Sequence, residues 1–366
     1  MSIMTTIADI DTVELRADRI RQRLGDAKRA FTTRHVDFAS VERLVRSGRA
    51  PKAGDLVLAR VRTIGQHARI ENVHGRRGQL YAGDEIVVAF GNRYAPDQFE
   101  AVVPAELGEC DLVAGGGVAA QMLVKHSAMK QPTRIEVIGL LARTDGSVLN
   151  LADFAPARGH AGRRPNHVIA VVGSSMNAGK TTTAAGLVHG LTRAGFRVGA
   201  AKVTGTGSGG DLWTMHDAGA VEAVDFTDAG HASTFGVGLD GLATIVDNLL
   251  AKLDDGAADV AIVEIADGLL QGETAALVEL ARERGWFDGI VFAAADAMGA
   301  GFGVQWLAQR GLTPIAVSGL VSASPLASRE ATAETGVPIA TLGDLRDPVA
   351  VTKIAFSCPR LLRKAA

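Results

Sequence analysis

The chain is poor in cysteine, poor in aromatics and without a long apolar run. Its only cysteines are Cys110 and Cys358, too few for a disulfide framework or a cysteine-rich zinc site. No apolar stretch reaches the roughly 18 residues of a membrane span. Neither charge sign dominates: 38 Lys and Arg stand against 40 Asp and Glu, a formal net charge of −2. A general nucleic-acid surface would need a basic excess, so nucleic acid and membrane are both set aside as partners. The first residues, Met1 to Leu15, carry Asp9, Asp11 and Glu14 and are too acidic for a signal or transit peptide. The expectation is a soluble cytoplasmic protein. Aromatics are 5% of the residues, whereas glycine reaches 43, a composition suited to α/β layers joined by tight turns. At 366 residues the chain is long for one core, and two domains are expected.

What is present is concentrated between residues 168 and 182. Val168 to Val172 is an apolar run with the length and β-branching of a buried strand. Gly173-Ser-Ser-Met-Asn-Ala-Gly-Lys-Thr-Thr182 follows, then an apolar-periodic segment to Ala194. Strand, small-residue loop and helix start form the setting in which successive backbone N–H groups converge on a phosphate. Gly173, Ser174, Ser175, Met176, Asn177, Ala178, Gly179, Lys180, Thr181 and Thr182 are therefore the candidate nucleotide-binding residues. Lys180 would reach the outer phosphates and the Thr181 hydroxyl would ligate Mg²⁺. The spacing departs from the usual pattern: five residues, not four, separate Gly173 from Gly179, and Ser174 stands where the first glycine would fall.

Around this loop the chain changes character. Residues 12–30 read as a surface helix. Residues 54–91 hold short β-prone runs punctuated by Gly65, Gly75, Gly78 and Gly83, as in a small barrel or meander. In 111–141 the pattern suggests strand, glycine loop, a helix over Val118 to Lys125, and another strand. The expected division is an N-terminal α+β module over 1–151, a Pro- and Gly-bearing linker over 152–166, and a nucleotide-binding domain over 167–366. In that domain strands are expected at 168–172, 198–203, 260–266, 290–295, 313–318 and 338–341. Helices are expected at about 181–195, 239–253, 273–284, 301–310 and 326–335, which implies an α/β fold with a mostly parallel sheet covered on both faces.

Two further segments carry chemistry. Ala200 to Asp211 ends a strand in Lys202 and a glycine-rich loop bearing Thr204, Thr206 and Ser208. With its strand beside that of the phosphate loop, Lys202 would meet a phosphate or a substrate carboxylate, and Asp211 would ligate Mg²⁺. Asp259 to Gly268 ends an apolar strand near Glu264 and Asp267. Period two places Glu264 on a buried face, a costly position for an acid unless it holds a metal or pairs with a buried Arg or Lys. The candidate catalytic residues are Lys180, Lys202 and Glu264, and the candidate metal ligands are Thr181, Asp211, Glu264 and Asp267. Weaker substrate candidates are Thr204, Thr206, Asp225, His231 and Arg93. Asp228, Tyr94, Asp97 and His126 lie in similarly polar loops, and His216 and Asp217 sit on an expected helix.

Residues 168–220 resemble the SIMIBI class of P-loop proteins. The loop spacing, with Lys202 followed by Thr and Gly, resembles dethiobiotin synthetases, whose matching lysine loop handles a carbamate. Leu191 to Lys202, Gly210-Asp211 and Asp217-Ala-Gly-Ala220 are similar to the GTP-binding accessory proteins of molybdopterin guanine dinucleotide synthesis. Ser328-Arg-Glu-Ala and Glu334-Thr-Gly-Val-Pro resemble the P-loop family of D-glutamate N-acetyltransferases. The second lysine of MinD-like members is replaced by Ser175, and the Asn-Lys-x-Asp guanine motif is absent. These likenesses imply ATP, with GTP as the alternative, together with Mg²⁺, a small-molecule substrate and a homodimer as the common assembly. The expected activity is phosphorylation or activation of a small carboxylate, carbamate or amine, of ligase or kinase type. The alternatives are a nucleotide-gated accessory protein for cofactor assembly and an acyl-CoA-dependent N-acyltransferase. The N-terminal module would supply substrate specificity or close the site against water.

Overall fold

A computed structural model describes residues 17–155 and 163–357. The acidic N-terminus, the start of the helix anticipated from residue 12, the linker segment 156–162 and Cys358 lie outside the described residues. The chain divides into two compact units: Met1–Pro156 with Thr206–Gly209 and Thr227–Phe235, and the remainder from Ala157 onward.

The first unit is built on a ring of strands. Leu56–Thr63 pairs antiparallel with Glu85–Phe90 and with Thr133–Ala142. Thr133–Ala142 pairs with Glu109–Ala114, which pairs with Val118–Lys125. Val118–Lys125 returns to Glu85–Phe90 in parallel and closes the ring, leaving those five strands without a free edge between them. Alternate residues fill two buried clusters. Val57, Ala59, Val61, Ile86, Val88, Phe90, Leu112, Ala119 and Ile135 form one. Leu56, Leu58, Val87, Ala89, Val113 and Ala120 form the other, with Ile20 and Leu24 of the helix Ala17–Asp26. The helix expected over Val118 to Lys125 is thus a strand: the Gly115–Gly117 turn folds it back as a hairpin, and pairing on both edges overrides the local preference of its alanines.

The loop segments 206–209 and 227–235 are anchored in this unit by backbone. Gly207 N–H donates to Ala232 O at 2.8 Å, and Gly209 N–H donates to buried Glu71 Oε2 at 3.2 Å. A Cβ on Gly116 would lie 2.2 Å from Gly207 O, so the two glycine loops meet backbone to backbone.

Within the same unit His67 packs against the Phe99 ring, and its Nδ1 lies 3.2 Å from Leu112 O, the donor position of a neutral imidazole. Burial, and then the nearby Arg93 charge, push His67 down from its ordinary 6.5 to about 4. The unfolded chain therefore takes up the proton first as pH falls. Stability from this group is complete above pH 6.5 and drains away toward pH 4, on the order of 3 kcal/mol in all. The urea midpoint of the wild type is expected to drop between pH 7 and 4.5 more steeply than that of His67→Gln; parallel curves would contradict it.

The second unit is a six-stranded parallel sheet; its elements are numbered here from its own start. They are β1 (His167–Gly173), α1 (Lys180–Arg193), β2 (Val198–Lys202), α2 (Gly210–Asp217), β3 (Glu222–Asp225), α3 (Leu239–Asp255) and β4 (Val260–Glu264). Then come α4 (Gly272–Arg284), β5 (Gly289–Ala293), α5 (Ala297–Gln309), β6 (Ala316–Ser318), α6 (Pro325–Thr335), α7 (Leu342–Arg346) and α8 (Pro348–Ala355). The strand order is β3-β2-β4-β1-β5-β6. Every residue of β1, β4 and β5 is buried, and since successive side chains point to opposite faces, both faces are covered. The fold is mixed α/β, as anticipated.

Several details correct the sequence reading. The Lys202 strand is not beside β1, because β4 lies between them. That order brings Lys202 level with Glu264 instead. The strand expected at 313–318 shortens to β6, and 338–341 contributes only a bridge, Val317 to Ile339. Strand β3 and the short helices α7 and α8 were not anticipated. On α1, Ala184, Leu187, Val188 and Leu191 form the buried stripe. Gly186 and Gly190 interrupt it at roughly 1 kcal/mol of helix propensity each, because α7 packs there; a Cβ on Gly190 would lie 2.1 Å from Leu345 O.

Candidate functional site

The carboxyl ends of β1, β2, β4, β5 and β6 meet around the loop Ser174–Gly179. Ser174 N–H is fixed by Ala293 O of β5 at 2.9 Å. Asn177 and Gly179 take positive φ values of 64° and 97°. Helix α1 then starts with Gly179 as its N-cap and no side-chain cap, so its first N–H groups are left for an anion. Gly173 explains the unusual spacing. A Cβ there would lie 2.8 Å from Lys180 Cγ and 2.9 Å from Ala293 O. This glycine makes room for the lysine stem, and Ser174 occupies the first position of the loop proper.

Lys180 is 6% exposed, and its ammonium donates to Ser175 O at 2.8 Å. Burial lowers its pKa, opposed by the carboxylates of Glu264 and Asp267, while the positive charge of Lys202 lowers it further. Lys180, Lys202, Glu264 and Asp267 therefore share one electrostatic neighbourhood. Thr181 Oγ1 lies 3.2 Å from Asp211 Oδ1 and 3.0 Å from Glu264 Oε1. Its single proton serves only one of these acceptors at a time. Asp211 Oδ2 also contacts the Lys202 ammonium. Glu264 is 2% exposed and its Oε2 is buried with no hydrogen-bond partner among the described residues.

This donor set fits Mg²⁺. All of its atoms are hard oxygens, and the orphaned Oε2 is an acceptor that a cation would satisfy. Among the described residues no group of three His, Cys, Asp or Glu side chains could hold a metal alone. Thr181, Asp211 and Glu264 would instead share an ion with phosphate oxygens and water, the usual habit of Mg²⁺.

The weaker candidates separate. Thr204 Oγ1 donates to Ala266 O at 2.6 Å and so shapes the loop. Asp225 ends β3 and is buried. Thr206, His231 and Arg93 belong to the N-terminal unit, where Arg93 donates to Gln98 Oε1 at 2.8 Å and burial lowers the His231 pKa.

Three positions escaped the sequence reading. Thr274 donates to Ala266 O at 2.8 Å and accepts from Asp267 N–H at 3.1 Å, holding the turn after β4. Gly268 in that turn rides against the phosphate loop, its Cβ position 2.6 Å from Ser174 O. Gly319, at φ 88°, crosses the loop from the other side; a Cβ would lie 2.3 Å from Ala178 O and 2.9 Å from Ala294 N. The usable signal for both glycines was their place just past a strand end. Gly319→Ala is expected to force the loop apart. At an overpacking cost of about 1–3 kcal/mol, nucleotide affinity should fall by about tenfold or more. Calorimetric titration checks this, and an unchanged affinity would show that the loop is not held there.

Beside Gly179 and Thr182 lies a cavity of about 410 Å³, lined also by Thr183, Ser318–Leu320, Ser322, Ala323 and Thr341–Gly343. It has the size of a small-ligand site.

No protein-family model matches the chain, and no curated protein matches it. Among solved structures it is similar to the signal recognition particle receptor FtsY from Elizabethkingia anophelis, at 19% identity over 56% of this chain and 69% of that one, TM-score 0.36. The GDP complex of that receptor gives 18%, 56%, 69% and 0.37. The signal recognition particle 54 kDa protein from Aeropyrum pernix K1, in complex with GDP, gives 20% identity over 57% of this chain and half of its own, TM-score 0.35. None of the three is a dethiobiotin synthetase, a molybdopterin accessory protein or a D-glutamate N-acetyltransferase. Likenesses this partial assign neither nucleotide nor partner, and the case for a nucleotide rests on residues 173–182 and the groups around them. No helix among the described residues is long and apolar enough to cross a membrane.

Proposed function

We propose that this protein is a Mg²⁺-dependent, nucleoside-triphosphate-consuming enzyme that transfers the terminal phosphoryl group to a small carboxylate, carbamate or amine. The supporting observation is the convergence of Lys180, Thr181, Asp211 and Glu264 at an uncapped helix start, with one buried carboxylate oxygen unsatisfied. The loop N–H groups and Lys180 bind the phosphates and stabilise charge on the group in flight, a preorganised electrostatic effect. Thr181, Asp211 and Glu264 would hold the ion, which would supply Lewis-acid stabilisation of the developing phosphate charge. Lys202 orients the anionic acceptor. For a carboxylate acceptor, its oxygen forms the new bond to the terminal phosphorus while the bond to the bridging oxygen breaks, giving an acyl phosphate and a nucleoside diphosphate.

The cavity beside Thr182 is assigned to the base and ribose. Among the described residues its lining bears threonine and serine hydroxyls, backbone and leucines, but no acidic side chain to accept from the N1–H and N2 amino group of guanine. ATP is the nucleotide of this proposal, since the Asn-Lys-x-Asp guanine motif is absent from the sequence. The test is phosphate release with ATP or GTP across a panel of carboxylates, carbamates and amines. Acceptor-stimulated, Mg²⁺-dependent release from ATP is the expected result. Release from GTP alone, or none with any acceptor, would sink the assignment.

A further inference from the structure

The metal-holding groups are not waiting with open valences. Asp211 Oδ2 is in contact with the Lys202 ammonium, and Asp211 Oδ1 shares the Thr181 hydroxyl with Glu264. Lys202 and Glu264 are register partners on neighbouring strands, so the lysine that contacts Asp211 starts from the strand position level with Glu264. The other lysine of the site, Lys180, is turned onto Ser175 O of its own loop. Among the described residues the buried Oε2 of Glu264 has no partner.

We propose that Lys202 is the resident cation of this site, and that a divalent ion and Lys202 exchange on Asp211. This rests on Thr181, Asp211 and Glu264 being the metal-holding set. The ammonium neutralises Asp211, which would otherwise face Glu264 as a like charge across one hydroxyl. An ion seated on Thr181 and Glu264 claims the Asp211 carboxylate and repels the ammonium. Lys202, 17% exposed in its side chain, swings free and needs an anion. A triphosphate or an anionic acceptor supplies it. The metal alone must compete with a tethered cation and binds weakly, whereas metal and anion together satisfy every charge. The lysine thereby couples ion entry to acceptor binding and keeps the site closed to free divalent ions.

The probe is Mn²⁺ titrated into the nucleotide-free full-length protein and followed by electron paramagnetic resonance. Lys202→Met is expected to bind Mn²⁺ about tenfold more tightly than wild type, the scale of one unit charge removed at a part-buried site. Lys202→Arg keeps the charge and should match wild type. Because the Met variant could misfold, a second measurement uses the wild type alone. Acetylation of Lys202 by acetic anhydride, read by peptide mass, should rise on adding Mn²⁺. Equal Mn²⁺ affinity in wild type and Lys202→Met, or labelling indifferent to Mn²⁺, overturns the exchange. If Mg·ATP still binds in a Lys180-dependent way in that case, the nucleotide site stands without it. If no nucleotide binds, both fall.

Discussion

Lys180→Met should cost about 100-fold or more in nucleotide affinity while leaving the empty protein at least as stable as wild type. The two effects have one cause. Lys180 is 6% exposed, and burial depresses its pKa despite the attraction of Glu264 and Asp267, so the fold holds a charge that water would solvate better. Where a lysine's folded pKa lies below its unfolded value, the unfolded chain binds more protons, and stability is reduced at neutral pH and regained as pH rises through that interval. Methionine fills the same channel over Gly173 without the charge. Its loss to function is the charge-assisted bonds to phosphate, worth about 1.5–3 kcal/mol each. Thermal unfolding by circular dichroism and titration with Mg·ATP measure the two arms. A variant that binds normally would remove Lys180 from the site, and one that unfolds would make it structural.

Glu264→Gln has the second-largest expected effect and the opposite signature. Mg²⁺-dependent turnover should fall by about 100-fold, the scale seen when groups that support a metal are altered. Metal-free nucleotide binding should be unchanged or tighter, because a negative charge leaves the neighbourhood of the phosphates. The variant should fold. Among the described residues Glu264 accepts its hydrogen bond from the Thr181 hydroxyl and joins no ion pair, so the substitution breaks none. Turnover at varied Mg²⁺ and nucleotide titration in chelator check both arms. Collapse of the fold would instead mean that Glu264 serves a structural charge network.

Much of this site was legible because the relevant signals are local. A buried strand, a small-residue loop and a helix start within 168–194 dictate where Lys180 and Thr181 point. The burial of Glu264 was legible from the apolar strand it ends, although the structure buries every position of Val260–Glu264, on both faces of the sheet, rather than one face alone. What failed was non-local. Nothing in Ala200–Asp211 reveals that β4 intervenes between its strand and the phosphate-loop strand, and it is that order which sets Lys202 against Asp211 and level with Glu264. Val118–Lys125 has helix-compatible composition, and only its pairing with Glu109–Ala114, Glu85–Phe90 and Phe99–Val102 makes it a strand. Gly268 and Gly319 are ordinary loop glycines in sequence; their need for a missing Cβ comes from loop atoms far away in the chain. Thr206 and His231, grouped by proximity in sequence with the Lys202 loop and the β3 loop, belong to the N-terminal unit.

The most direct measurement is calorimetric titration of wild type and Lys180→Met with ATP, GTP and acetyl-CoA, each with and without Mg²⁺. Saturable wild-type binding of ATP that tightens with Mg²⁺ and vanishes in the variant is the expected result. Binding indifferent to both Mg²⁺ and Lys180, or confined to acetyl-CoA, would contradict a triphosphate site at this loop.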